Sequence, residues 1–150
     1  MKRNWMWMLT LAFVAVLSGC GKEGELDYLF GIANRAGGDP STVEGLWRMD
    51  QSTAQKEIRA EVGSDYVILA LKCTLNGQSV VVGKKLPATV SATSVSIKED
   101  LNERKVEGNL LCAINIYHGV YSFENVRGTA RLARVGAQFT KLADLKDLKK

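Results

Sequence analysis

Residues 67–83 read VILALKCTLNGQSVVVG, and this stretch decides the fold class. Asn76-Gly77 is the dipeptide that most strongly favours a two-residue β-hairpin turn. We therefore expect two antiparallel strands joined by a tight turn, with the second strand broken at Pro87. The first strand has one apolar face because apolar side chains occupy every second position, at Val67, Leu69, Leu71, Cys73 and Leu75.

The same period-two alternation recurs along residues 44–142, at intervals of about 8–14 residues per strand. Residues 99–103 are expected to form a polar turn, and residues 143–150 a charged tail. The pattern predicts an all-β domain, a small antiparallel meander barrel or sandwich, and excludes α/β crossovers. Further strands are expected to start at Gly45 and to span 53–62, 89–98, 105–117, 120–126, 128–135 and 137–142.

Cys73 and Cys112 each fall on the apolar side of an expected strand. In the strand over 105–117, that side also carries Val106, Leu110, Ile114 and Ile116. An even pair of cysteines in an exported chain favours a disulfide. The alternative is two separate buried thiols that pack as small apolar groups.

The export signal is inferred from the N-terminus, where Lys2 and Arg3 precede an apolar run of 13 residues from Trp5 to Leu17. The run ends in Leu17-Ser18-Gly19-Cys20, which resembles the lipobox of bacterial lipoproteins. The resemblance implies a signal helix over residues 1–19 and a mature chain that begins at Cys20. A transmembrane helix would need about 20 apolar residues, and an ordinary signal peptide cut after Gly19 is the other alternative.

The lipobox resemblance also implies a modification and a location. Cys20 would carry a diacylglyceryl thioether and an N-acyl chain such as palmitate, which anchor the protein in a membrane. Residue 21 is glycine rather than the aspartate that marks inner-membrane retention in enteric-type bacteria. The resemblance therefore implies a cell-envelope lipoprotein in the outer membrane, facing the periplasm.

Residues 20–43 are expected to form a lipid-anchored tether with a short helix. Leu26, Leu29, Phe30 and Ala33 would share one helical face, and Gly37-Gly38 would end the helix. This face could rest on the membrane or on a barrel end. Packing against the following domain is favoured because the polar face lacks the lysines of surface-bound helices.

The sequence carries no signal for catalysis, metal binding or nucleic-acid binding. Cleavage after residue 19 would lower the formal charge from +4 to +2, and no basic run interleaved with aromatic residues follows. His118 lies in an expected turn without an evident partner, and the cysteines lack metal-ligand spacing. We therefore expect neither enzyme activity nor a cofactor. The acidic residues Glu57, Glu61 and Asp65 are expected at solvated edges, and Lys141, Asp144 and Lys146 on a solvated tail.

Gly45-Leu46-Trp47 resembles the Gly-x-Trp motif at the start of lipocalin-like barrels. The resemblance implies that Trp47 packs across a closed barrel end beneath an arginine, for which Arg127 and Arg131 are the candidates. A plain core tryptophan is the alternative. Segments 119–123 and 128–132 likewise resemble the closing strands of such domains.

Two functions remain open for this barrel. It could be an interaction or structural module with an envelope protein partner, its interior filled by side chains. Alternatively, it could bind a small apolar ligand, as some eight-stranded barrels do. Bulky inward residues favour the first function: Leu69, Leu71, Leu110, Ile114 and Ile116. The sequence does not indicate an oligomeric state.

Overall fold

The computed structural model describes residues 24–150. Cys20 and the expected signal helix lie outside the described residues. The described chain forms ten strands and two short 3₁₀ helices. Their bounds are η1 Asp27–Phe30, β1 Gly45–Met49, β2 Lys56–Val62, β3 Tyr66–Leu75, β4 Gln78–Val90, β5 Ser94–Ile97, β6 Leu101–Glu107, β7 Leu110–Ile116, β8 Gly119–Val126, β9 Thr129–Arg134, β10 Ala137–Ala143 and η2 Leu145–Asp147.

Eight of the strands close into an antiparallel barrel in the order β1-β10-β9-β8-β5-β4-β3-β2. Consecutive strands are neighbours except between β5 and β8, where the β6–β7 hairpin is inserted as a separate two-stranded sheet. The chain is therefore all-β, and its sheet is a closed meander barrel rather than a sandwich. β1 and β10 complete the closure, with Met49 opposite Phe139.

The hairpin of β3 and β4 forms as the sequence predicts. Asn76 and Gly77 both have positive φ, at 51° and 78°, which the two-residue turn requires. Leu75 pairs with Gln78 across this turn. The alternating apolar side chains of β3 line the barrel interior, from Val67 to Cys73.

The expectation that Pro87 breaks the second strand is wrong, because β4 continues through it to Val90. Pro87 lies where β4 stops pairing with β3 and begins to pair with β5. Its carbonyl accepts a 3.3 Å hydrogen bond from the backbone N–H of Lys98, just beyond β5. Proline has no backbone N–H, so the only bond missing here is the one that Pro87 would donate in return. This position is at the end of a ladder, where strands tolerate proline.

The single strand expected over 105–117 is also wrong. A turn at Gly108, with φ of 62°, divides this region into β6 and β7. β6 starts at Leu101, so the expected polar turn at 99–103 is shorter than predicted. Val106 faces outward opposite Leu111, whereas Leu110, Cys112 and Ile114 face the core.

Residues 24–44, which we call the strap, run over the outer face of the barrel and then across one of its openings, where Val43 joins the interior cluster. On the outer face, Leu29 is fully buried in a second apolar cluster with Leu46, Ala70 and Leu142. The side chain of Ala70 on β3 points away from the barrel interior, towards the strap. This strand is therefore covered on both faces. The expected short helix is present only as the 3₁₀ helix η1, and the prediction that it ends at Gly37-Gly38 is wrong, because η1 ends at Phe30.

Candidate functional site

The barrel interior is filled by its own side chains. Its central cavity measures about 20 Å³ and is lined only by side chains of the apolar core, such as Leu69, Tyr121 and Phe139. Small-molecule pockets usually measure about 300–1,000 Å³. The interior therefore has no room for an apolar ligand in this conformation.

One barrel end, which we call the Trp47 end, lies where β1 starts and β10 finishes. Trp47 is fully buried there, and its indole N–H donates a 2.9 Å hydrogen bond to the carbonyl of Val43. Its ring meets Phe123 edge-on, with centroids 6.2 Å apart. The indole therefore packs between the last residues of the strap and the interior, with its polar atom satisfied.

Lys141 closes the Trp47 end with a buried charge. Its Cα lies opposite that of Trp47, and its Nζ is 2.8 Å from the Asp39 carbonyl and 3.0 Å from the Thr42 carbonyl. The Thr42 hydroxyl and an Asp144 carboxylate oxygen lie at 2.6 and 2.9 Å. The ammonium therefore ties the strap to β10, and the expectation of a solvated charge at this position is wrong.

Asp144 completes this closure from the other side. Its carboxylate accepts a 2.9 Å hydrogen bond from the backbone N–H of Asp39. That bond, followed by the contact with Lys141, holds the pKa of the Asp144 carboxyl below its usual value despite partial burial. The sequence did not reveal the role of Lys141 and Asp144, because alternating charges near a chain end are usually solvated.

The two arginines expected above Trp47 lie elsewhere. Arg127 is exposed in the turn between β8 and β9, and Arg131 alternates with the inward Ala130 and Leu132, so it points outward. Within residues 24–150, no arginine or lysine stacks on the Trp47 ring.

Arg134 is the arginine that stacks on an aromatic ring of β8. Its guanidinium lies 5.3 Å from the ring centroid of Tyr121 and donates a 2.9 Å hydrogen bond to the Tyr117 carbonyl. A Cβ atom on Gly119 would lie 2.7 Å from this guanidinium, so the glycine makes room for it.

The opposite opening, which we call the hairpin end, is closed by β6 and β7. Leu101, Leu110 and Ile114 of the hairpin are buried in the same apolar cluster as the barrel interior. The disulfide between Cys73 and Cys112 joins β3 to β7, which confirms the predicted pairing. Among the described strands, β6 and β7 pair only with each other, so the disulfide is a covalent cross-link from this hairpin to the barrel in addition to the main chain.

The strap is held by an arginine on the outer face of β2. Arg59 is buried, and its Nη1 donates to the Leu29 carbonyl at 3.0 Å and the Ile32 carbonyl at 2.7 Å. Its Nε donates to Glu57 at 3.0 Å, and Arg48 donates to the same carboxylate at 2.7 Å. Two carbonyls at the end of the 3₁₀ segment are thereby satisfied by one guanidinium.

Glu61 is the second buried charge on this face, and the expectation of a solvated edge at this residue is wrong. Its carboxylate accepts hydrogen bonds from the hydroxyls of Tyr28, at 2.6 Å, and Tyr66, and contacts Lys150 Nζ at 3.2 Å. Burial would raise the pKa of the Glu61 carboxyl, but these three donors together hold it below its usual value. The hydrogen bond to Glu61, followed by partial burial, raises the pKa of Tyr66 to about 12.

A signal for this covered face is present in the sequence. Ile68 and Ala70 are apolar at the outward positions of β3, so residues 67–71 form a continuous apolar run. Such a run is typical of a strand that is buried on both faces. The identity of the covering segment depends on tertiary contacts, and the run does not specify it.

His118 forms a pair with Asp100 at the base of the β6–β7 hairpin. Its Nδ1 lies 2.6 Å from an Asp100 carboxylate oxygen, which also accepts a 2.7 Å bond from the His118 backbone N–H. These bonds lower the pKa of the Asp100 carboxyl. Both side chains are exposed, and the pair joins the two ends of the inserted hairpin.

An open groove of about 550 Å³ lies at the rim of the Trp47 end, between the strap, the β4–β5 turn and η2. Its polar side chains include Asp39, Glu44 and Asp144, of which Asp39 and Asp144 are already bound within the protein. Across residues 24–150, no group of three potential metal-ligating side chains occurs. Neither described helix is long and apolar enough to cross a bilayer.

Comparison with known proteins gives no relative: no family model, no curated protein and no solved structure matches this chain.

Proposed function

We propose that this protein is a lipoprotein of the bacterial cell envelope that acts through its surface, as an interaction or structural module. Acyl chains on Cys20 would hold it in the outer membrane, with the barrel in the periplasm. The observation that carries the proposal is the filled interior, whose cavity of about 20 Å³ leaves no room for a small apolar ligand.

The proposed surface is the outward face of the β6–β7 hairpin. Val106 and Leu111 lie opposite each other there and are 61% and 50% exposed. Tyr117 and Val120, which follow β7, are exposed as well. Exposed apolar side chains that lie side by side are typical of protein contact sites, and the Val106–Leu111 pair supports an envelope protein as the partner.

Native purification of the protein without its anchor, followed by mass spectrometry of bound small molecules, distinguishes an interaction or structural module from a binder of a small apolar ligand. We expect no stoichiometric ligand. A bound apolar molecule at one copy per chain would overturn the proposal in favour of a ligand-binding barrel.

The contact surface is tested with a photoreactive amino acid in place of Leu111, in cells that produce the protein. We expect a crosslink to one envelope protein. Val135, which is fully exposed in the turn between β9 and β10, is the control position. Equal crosslinking from both positions, or none from Leu111, would contradict a specific contact at the hairpin.

The anchor is tested separately, by treatment of producing cells with globomycin. Accumulation of a precursor that retains residues 1–19 is the expected result. If no precursor accumulates, Cys20 is not the processing site of a lipoprotein.

A further inference from the structure

We infer that the outer face of β2 and β3, covered by the strap, is the side of the barrel that lies against the membrane. This inference rests on the proposed acylation of Cys20. The occupant of this face is a bilayer surface, and the argument is based on the number of residues between the anchor and the first fixed part of the strap.

The strap is fixed to the barrel almost from its first described residue. The backbone N–H of Asp27 donates to the Gly24 carbonyl at 3.2 Å, which forms a turn within the strap, and the next residue, Tyr28, reaches Glu61 of the barrel at 2.6 Å through its hydroxyl. Leu29 is fully buried against the barrel. The strap is therefore fixed to the barrel at Tyr28 and Leu29, and Gly24 belongs to the turn directly before them.

Only four peptide steps separate Cys20 from Gly24. A fully extended chain covers at most about 3.6 Å per residue, so these steps span about 14 Å. An acylated Cys20 lies at the membrane surface, and Gly24 is therefore held close to that surface. Because Gly24 belongs to the strap, the strap side of the barrel must approach the bilayer.

The side chains around the strap suit a membrane–water interface. Three lysines each lie over an aromatic ring: Lys72 over Phe30 at 5.8 Å, Lys85 over Tyr66 at 4.4 Å and Lys150 over Tyr28 at 5.5 Å. Aromatic rings and long basic side chains are favoured at headgroup depth.

Net charge does not decide this orientation, since Glu25 and Asp27 are also exposed on the strap. The short connection to Cys20 decides it, and the lysine–aromatic pairs provide the contacts. The hairpin that carries Val106 and Leu111 packs on the interior cluster at one barrel end and contributes no residue to the apolar cluster under the strap. The proposed orientation therefore covers the strap face and leaves the hairpin face available to a protein partner.

The test is lysine labelling of the full acylated protein, once in detergent and once in vesicles of phosphatidylethanolamine and phosphatidylglycerol. A membrane-impermeant amine reagent is applied, and each site is quantified by peptide mass spectrometry. We expect labelling of Lys85 and Lys150 to fall at least fivefold in vesicles. Lys98, an exposed residue beyond β5, is the internal control and should label equally in both.

Three outcomes would overturn the inference, and they are distinguishable. An intact mass without acyl chains would overturn both the anchor and the orientation. An acylated protein whose Lys85 and Lys150 label equally in detergent and vesicles would overturn the orientation alone. Protection of these lysines in intact cells but not in vesicles would assign the face to a protein partner instead of the bilayer.

Discussion

The two ends of the barrel are closed by different chemistry. At the Trp47 end, an indole and a buried ammonium satisfy the carbonyls of a segment that crosses the opening. At the hairpin end, an inserted pair of strands covers the opening and is fixed by a disulfide. The first closure depends on hydrogen bonds and charge, whereas the second depends on a covalent bond, so different perturbations should open them.

The largest effect is expected from removal of the disulfide in the double variant Cys73→Ala/Cys112→Ala. In the chain-entropy model, a cross-link between residues 39 positions apart lowers the entropy of the unfolded chain. It thereby raises the free energy of unfolding by about 4 kcal/mol. Urea denaturation should show this loss. Hydrogen exchange should increase at Leu110–Ile116 and remain slow near Trp47. A loss below about 1 kcal/mol would mean that packing alone holds the hairpin.

The substitution Lys141→Met should open the Trp47 end. It leaves the carbonyls of Asp39 and Thr42 without their donor and the Asp144 carboxylate without its charge partner. Because each buried acceptor left without a donor costs about 1–3 kcal/mol, we expect a loss of about 3 kcal/mol in the free energy of unfolding, measured by thermal or urea unfolding. Lys146→Met, at an exposed residue nearby, is the control and should change stability by less than about 0.5 kcal/mol.

A smaller loss, about 2 kcal/mol, is expected for Gly45→Ala at the start of β1. The φ of Gly45 is 151°, and a Cβ atom there would lie 2.5 Å from both the Ala143 carbonyl oxygen and Lys141 Cε. Gly136→Ala is the control, since Gly136 also has positive φ but no atom within 4 Å of the added Cβ. Equal losses in urea unfolding of the two variants would show that the close contact at Gly45 is unimportant.

The smallest expected effect is a dependence on pH that distinguishes the Trp47 end from the hairpin end. The pKa of the Asp144 carboxyl is lowered in the fold, so its contribution is complete above the unfolded pKa and is lost as pH falls through the folded value. Below about pH 4, the NMR amide signals of Gly37 and Asp39 should shift before that of Ile114. Asp144→Asn should abolish this early step, and a simultaneous shift of all three signals would contradict the assignment.

The sequence determines the barrel more completely than its closures. Strand alternation and the Asn76-Gly77 turn act between near neighbours, so they identify β3 and the start of β4 directly. The predictions of a break at Pro87 and of one strand over 105–117 are wrong because the effect of Pro87 and of Gly108 depends on which strand lies alongside. A proline at the end of a ladder is tolerated, and a glycine within an apparent strand can mark a turn.

The candidate site was predictable only in part. The even number of cysteines and the expected export favour the Cys73–Cys112 bond over two separate thiols, and the structure contains that bond. Lys141 and Glu61 were misjudged because a buried charge is specified by partners far away in the sequence, such as Asp39 and Tyr28. No local pattern encodes those partners, and an isolated charged residue is far more often solvated.

The pairing of β1 with β10 has a consequence for folding. Leu46 and Ala143 are paired although almost the whole sequence of the domain lies between them. Such long-range pairs are expected to form late in folding. The β3–β4 hairpin is local by comparison, so we expect it to act as a nucleus on which the barrel assembles. A chain whose last strand completes the closure stays open during synthesis, and that delay would suit the proposed export in an unfolded state.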